Sequence, residues 1–178
     1  MTPQQVTAFW EDAGEARWFF KDAAFDGALK VRFGAALAEA RHGAFDHWGE
    51  TPEGALGLVI LLDQVSRNIN RGSPLAFAAD QRALRLAKGW IGQGFHQSLP
   101  APRARWLIMP YEHAEDIDAQ HRGVALFQAM GLSDMAHWAR VHLDIIARFG
   151  RFPHRNPVLG RQSTPAELAF LKSGGFAG

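Results

Sequence analysis

An all-α fold of seven to eight antiparallel helices, either a bundle or a helix-hairpin array, is what three features of the sequence predict. Apolar residues recur at three- and four-residue spacing through most of the chain; Ser, Thr and Asp beside proline, and glycine, punctuate those stretches; and nothing alternates at period two for more than a few residues. With 178 residues, 47% of them hydrophobic and 21% charged, the chain is sized for one compact domain, 1–178, that buries about 70% of its unfolded surface.

Each element has its own signal. Thr2-Pro3 caps a first helix running towards Asp12. Phe25, Leu29, Phe33 and Leu37 mark a second that ends near Gly43. Thr51-Pro52-Glu53 supplies an N-cap, a first-turn proline and an acid for a third, which Asn70-Arg71-Gly72 ends. Ser73-Pro74 opens a fourth that runs to about Gly92 or Gly94. Pro100 and Pro102 precede a short fifth through Met109, where Pro110 is expected to break or kink it. A sixth runs from about Glu112 or Asp116 to Met130. Ser133 is expected to cap a seventh with the inner stripe Trp138, Val141, His142, Ile145 and Phe149. Thr164-Pro165-Ala166-Glu167 reads as a capping box for a short last helix. Helix pairs recur near the lengths of solenoid repeats, but no repeated residue pattern accompanies them.

Composition narrows the function. Fifteen Arg and four Lys against 18 acids give a formal charge of +1, which argues against a general nucleic-acid binder. The absence of cysteine leaves His and carboxylates as the plausible metal ligands, and no His-Glu-x-x-His or comparable spacing occurs, so no metal and no cofactor is assigned. Glu11, Asp12 and Glu15 interrupt the first residues where a secretory signal would be apolar. The apolar run from Ala55 to Leu62 is far below the roughly 20 residues that span a bilayer, so no membrane partner is expected and a cytoplasmic location is the default.

Polar residues gather in three places. The third helix is apolar all round from Ala55 to Leu62 and then carries Asp63, Gln64, Arg67, Asn68 and Arg71. Asp63, Arg67 and Arg71, at i, i+4 and i+8, would line one face, either as a surface ion pair where the helix leaves the core or as part of a site. Glu112, Glu115, Asp116 and Asp118 form an acidic block in which Glu112 and Asp116 repel if the segment is helical, with His113 inside it. Arg148, Arg151, Arg155 and Arg161 form an equal and opposite block, where Gly150 suits a helix C′ position and Pro153 and Pro157 bracket His154-Arg155-Asn156 in a stiff extended loop. Three readings compete: an internal Arg–carboxylate network, an anion-binding or catalytic pocket, and a His/carboxylate metal site, which has the least support. His142 reads as a hydrogen-bonded core residue, and His42, His47, His96, His121 and His137 as surface or loop residues. Trp10, Trp18, Phe19, Phe20 and Phe25 read as core packing in preference to an apolar pocket.

Larger motifs tie these segments together. Trp18-Phe19 with Phe25-Asp26, Leu61-Leu62-Asp63-Gln64 with Arg67-Asn68 and Arg71-Gly72, Glu112-His113 with Glu115-Asp116 and Gln120, and Arg148-Phe149-Gly150-Arg151-Phe152-Pro153-His154-Arg155-Asn156 leading to Leu159-Gly160-Arg161 and Ser163-Thr164 resemble the bacterial domain of unknown function 924 family over nearly the whole chain. The resemblance implies an all-helical fold of the tetratricopeptide-like superfamily and no established activity. Val65-Ser66 stands where the family pattern usually has Phe-Pro, and Ala114 where it has Ser, which weakens any scheme with a nucleophilic hydroxyl between His113 and Glu115.

The functional expectation is a cleft that binds a small anionic molecule, a phosphate or a carboxylate, with hydrolytic or acid/base activity as its extension. Arg67, Arg71, Arg151 and Arg155 would clamp the anion, Asp63 and Asn68 would orient the clamp, and Glu112 with His113 or His154 would transfer protons. Glu115, Asp116, Gln120, Asn156 and Arg161 complete the ligand-binding set. The rival expectation is a tetratricopeptide-like interaction scaffold for an acidic peptide, its polar motifs forming an internal salt-bridge network. These residues leave open whether the protein is an enzyme and what its oligomeric state is.

Overall fold

Nine α-helices, with no strand among the described residues, make up the structure: α1 (Pro3–Ala13), α2 (Glu15–Trp18), α3 (Ala23–Arg41), α4 (52–69), α5 (Asp80–Gly92), α6 (Ala101–Glu112), α7 (Ile117–Ala129), α8 (Ser133–Phe149) and α9 (Pro165–Lys172). The coordinates, a computed structural model, describe residues 1–176; positions 177 and 178 of the expected domain lie outside the described residues. The helix added to the expected set is α2, a single turn that follows Gly14.

Local chemistry sets most boundaries. Thr2 and Gln5 exchange side-chain and backbone hydrogen bonds in a capping box, and Thr164 and Glu167 do the same at α9, so otherwise unpaired first-turn amides are satisfied. Gly150 closes α8 with φ 69°, the left-handed conformation in which glycine carries no Cβ penalty.

Around α4 the rest is assembled. Its uniformly apolar first half packs against α1, α3, α5 and α6, and Leu56, Leu58, Ile60, Leu61 and Leu62 are fully buried. Burial of each such side chain stabilises the fold by about 1.5–3 kcal/mol. Gly57 lets α1 sit directly on α4, because a Cβ there would lie 2.6 Å from the Cβ of Pro3. From α5 onward each helix packs mainly on its neighbour in sequence, α5 on α6, α6 on α7 and α7 on α8.

Five local expectations are corrected. The fourth predicted helix does not start at Ser73: Ser73 caps only a 3-10 turn, Pro74–Ala76, and i→i+3 hydrogen bonds carry the chain through 77–79 before α5 begins at Asp80. Pro110 does not end α6, which continues to Glu112. Lying in the last turn, it removes a single backbone bond, and its buried neighbours Leu107, Ile108, Met109 and Tyr111 hold the helix in place. Ser133 is the first residue of α8, not its cap; Leu132 occupies that position and makes no side-chain bond to the helix. Trp138 is 48% exposed and so leaves the inner stripe of α8, whereas Ala139, His142, Ile145 and Ile146 are buried. Pro153–Arg155 forms a 3-10 turn, not an extended segment, because the Arg155 and Asn156 amides bond back to Phe152 and Pro153.

Candidate functional site

In the middle of α4 the α-helical pattern opens into a π-helical turn, Ile60–Val65, between the α-helical segments Pro52–Val59 and Ser66–Ile69. A π turn gives up tight helical packing, and such turns concentrate at functional sites. Asp63 lies inside it and is 1% exposed. Its carboxylate accepts from Gln64 Nε2 at 2.6 Å and from Arg67 Nη1 at 2.9 Å, and both its oxygens lie 2.9 Å from His113 Nδ1. The expected surface ion pair is therefore a buried one. Arg67 and His113 hold the Asp63 carboxyl well below its ordinary range, although burial pushes the other way.

That arrangement fixes the tautomer of His113. An ionised carboxylate only accepts, so Nδ1 carries the proton and Nε2 presents the lone pair of a neutral imidazole. Burial and the neighbouring Arg67 keep His113 below the usual histidine range in spite of Asp63. Gln120, buried in α7, donates to the carbonyls of Glu112 at 2.6 Å and Ala114 at 2.8 Å, and so pins the turn that carries His113.

Arg67 reaches past Asp63 to Asp80 Oδ2 at 2.9 Å, and Arg155 Nη1 meets the same oxygen at 3.2 Å. The Arg155 guanidinium lies 4.4 Å from the Phe152 ring centre and 4.6 Å from that of Phe77. Contact of this kind with aromatic rings suits arginine, whose weakly hydrated cation tolerates burial better than an ammonium. Burial and the charge of Arg67 lower Arg155 to about 10.

Glu112, the last residue of α6, is 3% exposed, and its Oε1 lies 3.1 Å from His142 Nδ1. Burial, reinforced by the negative charge of Asp63, pushes its carboxyl up to about 8, so it stays protonated at neutral pH. His142 Nδ1 also lies 2.9 Å from the carbonyl of Trp138, which makes that nitrogen the donor. Burial lowers His142 to about 3, and burial with the adjacent Arg155 lowers His154 to about 4. Two arginines thus face two aspartates beside a neutral acid and three neutral histidines, and the cluster carries no net charge.

Four of its buried polar atoms have no hydrogen-bond partner: Asp80 Oδ1, Glu112 Oε2, His154 Nδ1 and Arg155 Nε. Each buried and unpaired polar group costs about 1–3 kcal/mol, and four of them gather in this one cluster, while single ones occur elsewhere, as at Arg41 Nε and Arg105 Nε. The cluster meets solvent where Arg67 and His113 are 18% and 13% exposed. Two surface concavities lie elsewhere, one at Ala38 to Ala44 and one around Gln4, Phe9 and Arg32.

Of the sequence-predicted residues, Asp63, Arg67, Glu112, His113, His154 and Arg155 come together here. The others do not join them. Arg71 lies beyond the end of α4 and, with Asn68, binds Asp26, tying α4 to the start of α3. Arg151 makes a two-pronged pair with Glu167 and holds α9. Arg161 makes a two-pronged pair with Glu115, whose Oε1 also accepts the Phe152 amide, and Arg161 Nε binds Asn156. Asp116 caps α7, which relieves the expected clash with Glu112 because a turn separates the two helices. Of the four arginines in the basic block, only Arg161 pairs with the acidic block, and Arg148 lies over the Phe149 and Phe170 rings. Trp10 and Phe25 are core as expected, but Phe19 and Phe20 are 51% and 67% exposed.

Sequence reasoning missed Asp80, which it placed inside the fourth predicted helix and which the structure places at the first residue of α5, and the Phe77 and Phe152 walls around Arg155. His142 is buried and hydrogen-bonded as expected, but it also faces Glu112. His96, expected as a surface or loop residue, lies in the 3-10 turn Phe95–Gln97 between α5 and α6 and is buried there. Among the described residues no group of three or more His, Asp or Glu side chains is arranged to hold a metal ion, and no helix is long and apolar enough to cross a membrane.

Comparison with known proteins matches residues 6–175 to the family described as "Bacterial protein of unknown function (DUF924)". The solved structure of ATU0120, a protein of unknown function from Agrobacterium tumefaciens, is similar with a TM-score of 0.92 and 41% identity, over 97% of each chain. No curated protein matches the sequence.

Proposed function

Because the chain belongs to the bacterial DUF924 family, to which no activity is attached, we propose from the chemistry of the buried cluster that it is an acid–base catalytic site for a small polar molecule. One observation carries this reading: His113 Nδ1 faces both oxygens of a buried Asp63 at 2.9 Å, leaving Nε2 as a base, next to Glu112, a carboxyl that keeps its proton at neutral pH. Two titratable groups whose surroundings drive them to opposite roles are the pattern of a general base paired with a general acid. Asp63 orients the imidazole, His113 takes a proton from a water, and Glu112 gives one to the departing group. Ala114 supplies no hydroxyl beside His113, so water is the nucleophile in this scheme.

Arg155, with an unpartnered Nε, and Arg67 hold the ligand. Since Asp63 and Asp80 already balance these two arginines, a monoanionic carboxylate fits better than a phosphate with two charges. The helix-by-helix packing from α5 to α8 supports placing the fold among tetratricopeptide-like arrays.

Hydrolysis of p-nitrophenyl acetate, a generic acyl substrate, tests the acid–base reading. His113→Gln is expected to lower the rate by about 10²-fold or more with little change in stability. Equal rates for the two proteins refute the assignment. Chemical-shift titration with acetate and with inorganic phosphate tests the ligand class, acetate being expected to move the Arg155 Nε–H resonance at lower concentration.

A further inference from the structure

The short segment after α9 turns back onto the candidate site. Phe176 is half-buried, and its ring centre lies 4.6 Å from His142 and 5.5 Å from His154, edge-on to both, and 6.5 Å from the exposed Trp138. His142 in turn touches Glu112 Oε1 at 3.1 Å. Phe176 thus lies over the His142 and His154 rings, and it also packs at the edge of the small apolar cluster of Ile145, Ile146 and Phe152.

Two glycines set this path. Gly174 adopts φ 83°, which side chains other than hydrogen rarely accept, and a Cβ on Gly175 would fall 2.5 Å from the Phe170 ring. The amide of Gly175 bonds to the Phe170 carbonyl at 3.0 Å, the last backbone hydrogen bond made by the described tail. Beyond it Phe176 is held by side-chain packing, against His142, His154 and the cluster of Ile145, Ile146 and Phe152. Seating the ring also has a cost, since the neighbouring His154 Nδ1 is buried with no partner. Lifting the ring would let water or a ligand reach that nitrogen, which offsets part of the packing lost with Ile145, Ile146 and Phe152.

We propose that Gly174, Gly175 and Phe176 form a displaceable lid, with the glycine pair as hinge and the Phe176 ring as the part that covers His142 and His154. The inference rests on the acid–base reading only for what the lid admits; its own geometry is independent of that reading. A small polar ligand would enter by displacing the ring and taking the open position at His154 Nδ1.

Diethyl pyrocarbonate, which acylates accessible neutral imidazoles, is the probe, with each histidine followed by mass spectrometry of its peptide in the full chain. In Phe176→Ala and in Gly175→Ala, which unseats the tail while keeping the ring, His142 and His154 are expected to react about tenfold faster relative to the exposed His42, His47 and His137. Unchanged relative rates in both variants overturn the lid. So does a uniform acceleration of all histidines, because the tail is then a brace for the whole fold. Faster labelling of His142 and His154 in a protein whose p-nitrophenyl acetate hydrolysis is indifferent to His113→Gln would keep the lid and remove the acid–base reading.

Discussion

Arg155 and Arg161 lie on the same loop and each meets a carboxylate, but their surroundings differ in kind. Arg161 makes two short bonds to Glu115, at 2.5 and 2.8 Å, and adds Asn156 and the Phe152 carbonyl. Both side chains of that pair are about a quarter exposed, and none of their atoms is buried without a partner. Arg155 is 7% exposed, touches a single oxygen of Asp80, and leaves its Nε unpaired between two phenylalanine rings. The first arrangement is a brace, closed on itself and joining the α6–α7 turn to the basic loop. The second keeps donors and acceptors open in a desolvated place, where a hydrogen bond to a ligand gains most. Charge complementarity by itself does not separate the two; hydrogen-bond closure does.

Breaking the buried side of this contrast has the largest expected effect. Asp63→Ala leaves Arg67 with less compensation in a buried setting and is expected to cost about 3–5 kcal/mol in urea unfolding, the range for removing one partner of a buried ion pair. A loss below about 1 kcal/mol would mean that water already reaches the cluster.

The pH dependence of stability sharpens the same point. Glu112 titrates near 8 in the folded chain against an ordinary value of 4.5, so between those values the folded state holds a proton that the unfolded state has released. Stability contributed by this group therefore falls as pH rises from 4.5 to 8. Glu112→Gln is expected to flatten that slope in denaturation curves taken across the window, and an unchanged slope would show that Glu112 is ionised in the folded chain. His142 acts in the opposite direction. Its folded value of about 3 lies below 6.5, so its contribution is complete above 6.5 and is lost as pH falls towards 3.

On the brace side, Arg161→Ala is expected to cost about 1–2 kcal/mol, less than for a fully buried pair because solvent screens the charges. It should leave the rate of p-nitrophenyl acetate hydrolysis close to that of the parent, and a hundredfold loss of rate would move Arg161 into the site. The smallest effect belongs to Trp138→Gln. Its ring is exposed and only its carbonyl binds His142, so thermal unfolding should register a change within about 0.5 kcal/mol.

Much of the fold was legible from local chemistry. Thr2-Pro3, Thr51-Pro52 and Thr164-Pro165 placed three helix starts, and the unbroken apolar run of α4 marked it as the helix that others surround. These signals act within a few residues, between a side chain and the nearest unpaired amides, so neighbouring sequence suffices. Where tertiary packing competes with local preference, sequence reasoning failed: Pro110 stays helical inside a buried segment, and the chain around Phe77 gives up helical geometry.

The site divides along the same line. From the sequence came the residue types and two opposed charge blocks, with Asp63, Arg67, Glu112, His113, His154 and Arg155 among the candidates. Only the tertiary structure decided that Arg71, Arg151 and Arg161 are consumed by Asp26, Glu167 and Glu115, and that Asp80 joins Arg67 to Arg155. The physical reason is that an ion pair's partner and its exposure to water are set by packing between distant segments, as when His113 meets an aspartate 50 positions earlier in the chain. Net charge and spacing count what is available to pair, whereas burial determines which groups must pair and which stay open.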